Sequence, residues 1–120
     1  MMKRFRFEDM EIWKLGTAIA VQLFAVAVRL EERNHVRCAE ALRAAALKVT
    51  NNIAEGSGSG TDEEFAGFLD IAKRASFEAA NMVLFYREAG FIDAAMAEPI
   101  VTSIEDECRM LEAYRLSLLR

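Results

Sequence analysis

Apolar residues recur at intervals of three and four along most of the chain, and no convincing strand pattern follows the first few residues. The first series, Ile12, Leu15, Ile19, Leu23, Val26 and Leu30, predicts a helix opening at Glu8 or Asp9, acids that suit the positive end of a helix. Trp13, Ala20, Phe24 and Ala27 form a second stripe beside it, so this helix should touch more than one neighbour. Polar residues from Glu31 to His35, with the turn-tolerant Asn34, separate it from a second series, Leu42, Ala46, Val49 and Ile53, which Gly56 should end. The run from Gly56 to Gly60 breaks the pattern. Thr61 followed by Asp62, Glu63 and Glu64 then reads as a capping box for a third helix. Its series is Phe65, Phe68, Leu69, Ala72, Ala79, Met82, Val83 and Tyr86, and Gly90 stands where a left-handed C-cap would. Asp93 can cap a fourth helix carrying Ile100, Ile104, Cys108, Leu111 and Leu118. There Pro99 predicts either a start near Glu98 or a kink. Four helices at about 9–32, 36–55, 62–89 and 94–119, joined by short loops, make an all-α, antiparallel up-down four-helix bundle the simplest architecture.

Length and composition narrow this further. At 120 residues and 53% hydrophobic, the chain fits one domain, 1–120, with a real core. The apolar content exceeds what a lone bundle of this size needs, so part of it is expected between subunits. The longest uncharged stretch, Leu15 to Val28, falls short of a membrane span and reads as a buried helix in a soluble protein. Cys38 and Cys108 are too few for a disulfide framework and are expected as free thiols in a reducing, cytoplasmic setting. The net charge of −4 hides an asymmetry: the first sixty residues carry nine bases against seven acids, the last sixty six bases against twelve acids.

Candidate chemistry is sparse. The glycine run is no phosphate loop, because no Lys follows Gly60 and the run comes after a helix rather than a strand. The single histidine, His35, lies in a polar turn and no Glu-x-x-His occurs, so neither a di-iron site nor a cysteine nucleophile is expected. Arg4-Phe5-Arg6-Phe7 alternates basic and aromatic residues in a way that suits stacking on a single strand, although Phe7 before an acidic cap also reads as a staple residue packed on helix one. The segment Asn51 to Gly56 is the hardest to explain by bundle packing, since amides and a carboxylate in a last helical turn are unfavourable. One reading is local capping, with the asparagines satisfying carbonyls near Gly56 and Glu55 paired to Lys73 or Arg74. The other is a polar site between helices two and three formed by Asn52, Glu55 and Glu78.

Asn52-Ile53-Ala54-Glu55-Gly56, together with Phe7 to Trp13, Phe65, Phe68 to Ala72, Glu78 and Gly90-Phe91-Ile92, resembles the bacterial four-helix-bundle family named after proteins encoded in 23S rRNA intervening sequences. That family is similar in turn to the accessory protein of diversity-generating retroelements. Lys48 and Thr50 depart from its usual Ser and Pro, Ala44 and Ser59 from usual arginines, and Arg74-Ala75 from a Gly-Ser pair. The resemblance implies a ring-like homopentamer with no established enzymatic activity, and the residues lead to no expected cofactor or metal. In the retroelement branch it also implies binding of a reverse transcriptase and of nucleic acid through a basic surface. The expectations are therefore a non-enzymatic homo-oligomeric scaffold, packed through Trp13 and Phe24, with itself as partner and no membrane. The alternative is a nucleic-acid or ribonucleoprotein accessory using Arg4, Arg6, Arg37, Arg43 and Lys48.

Overall fold

A computed structural model describes residues 3–120. After a 3-10 turn at Arg6–Asp9 come four helices, α1 (Glu11–Glu32), α2 (Val36–Ser57), α3 (Asp62–Glu88) and α4 (Ala94–Leu118). Each helix packs on its neighbour in the chain and α1 also packs on α4, while the diagonal pairs make no backbone contact among the described residues.

The helix ends follow local chemistry, with some departures from the sequence pattern. Glu8 and Asp9 do not open α1, because the Glu8 carboxylate accepts from the backbone N–H groups of Arg4 and Phe5 at 3.0 and 2.9 Å. Those two bonds hold Glu8 below the usual carboxylate range. The acid therefore ties back the N-terminal arm, and α1 begins at Glu11 behind an extended Met10. At the other end Asn34 takes the left-handed conformation (φ 67°), and the N–H of His35 reaches back to Leu30 O at 2.8 Å, closing a Schellman turn.

Gly56 does not end α2. It is buried one residue before the helix stops, and Gly58 forms the C-cap with an ordinary negative φ. A Cβ at Gly56 would lie 2.7 Å from Phe68 Cβ and 2.8 Å from Phe65 Cδ1, so its glycine is a packing requirement where α3 crosses α2. The Thr61 hydroxyl accepts from the N–H of Glu64, and Asp93 from that of Met96. Gly90 (φ 79°) follows the end of α3. Pro99 neither starts α4 nor interrupts it: the helix begins at Ala94, and the missing donor faces the exposed Ala95 side.

The core falls into two apolar clusters. One holds Leu23, Leu30, Leu42, Val83 and Ile100; the other holds Ile12, Ile53, Phe65, Leu69 and Leu111. Between them lies a thin layer that includes Gly16, Ser76 and Glu107, and the last two are the buried polar residues of the core. Glu107 stands on the α4 stripe between Ile104 and Leu111, a position that the apolar pattern assigned to its neighbour Cys108. Cys38 and Cys108 are free thiols, both half-buried. By length and composition α1 could cross a membrane, and within the fold one of its faces is packed into the core.

Candidate functional site

A concave surface lies outside α1 and α2: of the second stripe of α1, Ala20 and Ala27 are buried in the core, while Trp13 and Phe24 stay half-exposed beside Val21. It is a groove of about 480 Å³, bordered by Phe7, Trp13, Val21 and Phe24 on one side and Leu47 and Ala54 on the other. The spacing explains it. Ile12, Ile19, Leu23 and Leu30 point to the core, which turns Trp13, Thr17, Val21 and Phe24 toward the flank of α2. Val21 is 66% exposed, whereas Trp13 and Phe24 are half-buried. Phe7 packs against the Trp13 ring at 5.2 Å between centroids, as the staple reading expects.

A charged pair stands beside the Phe24 end of the groove. Arg43 donates to both carboxylate oxygens of Glu31, at 2.8 and 2.7 Å, and its guanidinium lies 5.6 Å from the Phe24 ring centroid. The fork lowers the carboxyl pKa of Glu31 and raises that of Arg43. Side-chain hydroxyls and an amide, on Thr17, Thr50 and Asn51, line the groove, and the buried Thr17 hydroxyl has no partner among the described residues.

A second apolar surface lies on the other side of the molecule. Phe77 and Phe85 on α3 are each 62% exposed, and Ile71 on the same helix is also exposed. Beside Phe77 a smaller depression of about 250 Å³ runs between α3 and α4, edged by Val101, Cys108 and the charged Glu105 and Arg109. Because α1–α2 and α3–α4 are opposite edges of the four-helix arrangement, the two apolar surfaces face away from each other.

The signature segment is resolved into separate local roles. Asn52 Nδ2 donates to Lys48 O at 2.7 Å, within α2, and Lys48 reaches Glu78 across the α2–α3 boundary at 4.0 Å. Asn52, Lys48 and Glu78 are thus brought into one row, whereas Glu55 is exposed and makes no ion pair among the described residues. The expected partners of Glu55 are engaged elsewhere: Lys73 faces α4 and binds Glu112 at 3.0 Å, and Arg74 binds Asp70 at 3.2 Å. Arg115 and Lys73 together hold the Glu112 carboxyl down to about 2. The carbonyls near Gly56 are satisfied by serines rather than asparagines, with Ser57 Oγ donating to Ala54 O and Ser59 Oγ to Gly56 O.

The basic residues do not form one patch within a subunit. Arg6 lies over the Phe65 ring at 5.2 Å, near the start of α3, and Arg4 is exposed on the same arm. Arg37 is exposed in the first turn of α2, at the far end from Gly56. Arg43 and Lys48 already have carboxylate partners in Glu31 and Glu78. Among the described residues no three His, Cys, Asp or Glu side chains gather as a metal set.

No curated protein matches the chain. The family model described as 23S rRNA-intervening sequence protein matches residues 8–113, from the 3-10 turn that precedes α1 to the closing turns of α4. Since that match takes in all four interhelical packings and the Asn52–Gly56 segment, the chain belongs to the 23S rRNA-intervening sequence protein family.

Proposed function

We propose that this chain is a non-enzymatic, cytoplasmic scaffold: an antiparallel up-down four-helix bundle whose copies join through their α1–α2 groove into a ring-like homo-oligomer, with five subunits as the family resemblance implies. Three contacts between distant segments favour the antiparallel arrangement. Arg33 at the end of α1 bonds to Phe91 O just before α4, and Tyr86 near the end of α3 bonds to Cys38 O near the start of α2. At the other end, Phe65 at the start of α3 packs on Tyr114 in the closing turns of α4.

The observation that carries the assembly is the pair of unlike apolar surfaces on opposite sides of one subunit. A groove on one side and the exposed Phe77 beside its own depression on the other cannot satisfy each other within a chain, and they suit a head-to-tail contact. Such a contact is heterologous and generates rings when its rotation closes. The groove is also long enough for a helix, since Trp13 to Phe24 spans about three turns of α1, or roughly 16 Å. Val21→Glu places a charge in the groove without touching the core. It should reduce the native mass to that of one chain with helix content retained; an unchanged assembly would remove the groove from the interface.

A second reading has support of its own. Arg4 and Arg37 are exposed and have no carboxylate partner among the described residues, and a ring would repeat each of them around its rim. We infer from this that the assembled form binds RNA or DNA. Retention on an RNA column at low salt, falling steeply as salt rises and lost in an Arg4→Glu/Arg37→Glu variant, is the expected behaviour. Equal retention of that variant would set this reading aside.

A further inference from the structure

Glu107 is 1% exposed, and neither carboxylate oxygen has a hydrogen-bond partner among the described residues. Its surroundings are shaped for a carboxyl group but not for a charge. The niche is lined from α1 by Gly16 and Ala20, from α2 by Ala46 and Val49, and from α3 by Ser76 and Ala79, with a residual void of only about 10 Å³, roughly one water molecule. Gly16 makes the space: a Cβ there would sit 2.8 Å from Glu107 Oε2.

None of these facing residues is charged or titratable. Ser76 spends its hydroxyl proton on Ala72 O. The nearest titratable group along α4 is the Cys108 thiol, which burial, and after it the neighbouring Glu107, push up. Lys73 on α3, whose charge acts to lower that thiol, is held by Glu112 and Asp70. A bare carboxylate in such a place would lose its hydration without gaining a donor, so the closed core accommodates the neutral acid.

We propose that Glu107 is a proton-binding site built into the centre of the bundle, neutral while the four helices are closed and releasing its proton to solvent as the seam between α1 and α4 opens. The seam is the natural exit. Gly16 on α1 is the near wall, and α1–α4 is the least extensive of the four packings between adjacent helices. Because Glu107 lies between the two apolar clusters, its charge would be felt where the core is already divided. This device does not depend on assembly through the groove.

The test is made on the full chain. Infrared absorption of a protonated carboxyl, read as wild type minus Glu107→Gln, should persist through neutral pH and disappear around pH 8, where burial places this carboxyl. Over the same interval, amide hydrogen exchange in α1 around Gly16 and in α4 around Glu107 should accelerate beyond its intrinsic pH dependence in the wild type, and not in Glu107→Gln. Glu107→Leu supplies a second non-ionising background in case the glutamine perturbs the niche. A difference band lost near pH 4 to 5, or exchange at the seam that follows the same course in the wild type and both variants, would overturn the proposal.

Discussion

Single atoms decide two positions in this bundle. Gly56→Ala would drive a methyl group into Phe65 and Phe68, and since both are held between α2 and α3 the overlap should cost about 1–3 kcal/mol. Urea unfolding would read that loss as a lower midpoint at unchanged slope. Glu107 acts in the opposite direction. Its folded carboxyl is pushed up to about 8 by burial, against 4.5 when unhindered, so the unfolded chain gives up its proton first as pH rises. Stability is therefore intact below about pH 4.5, declines as pH climbs toward 8, and levels off above that. Glu107→Leu should raise the melting temperature at pH 8 and flatten the decline, by at most a few kcal/mol given how water penetration softens such penalties. Thermal unfolding of both proteins from pH 5 to pH 9 checks the sign. Gly16→Ala is coupled to it: a methyl group there displaces Glu107 Oε2, so the alanine should be tolerated less well in the wild type than beside Glu107→Ala.

At the level of helices, capping and turn chemistry account for where the chain bends. Thr61→Ala removes the acceptor for the Glu64 N–H and should cost about 1 kcal/mol, measurable as a lower denaturation midpoint. Much of this level was legible in the sequence. Thr61, Gly90 and Asp93 mark ends because their side chains or backbone freedom satisfy groups that a helix leaves open, and those requirements are local. What was not legible depended on tertiary neighbours. Glu8 looked like the opening of α1 and instead tethers the arm, because a carboxylate can serve amides on either side of it. Gly56 looked like a stop signal, whereas the closeness of Phe65 and Phe68 is its reason. Lys73 and Arg74 were plausible partners for Glu55 by distance along the chain, yet Lys73 projects toward α4. Glu107 had a signal, three residues beyond Ile104 and four before Leu111 on the buried stripe, but a series built from apolar residues passed over it for its neighbour Cys108.

For the molecule as a whole, the doubled stripe on α1 is the sequence feature that reaches furthest. It anticipated a helix with two neighbours, which α1 finds in α2 and α4; the stripe's alanines are buried, and Trp13 and Phe24 are left half-exposed along a groove, with Phe77 and Phe85 exposed on α3. The candidate basic set was less informative, because charge counted along a chain does not show that Arg43 and Lys48 are already matched by Glu31 and Glu78. The central claim is that these two apolar surfaces belong to one interface between copies. The native mass measured by light scattering at micromolar concentration tests it most directly: a single species of about five times the chain mass is expected from the proposed ring, and a clean monomer would contradict it.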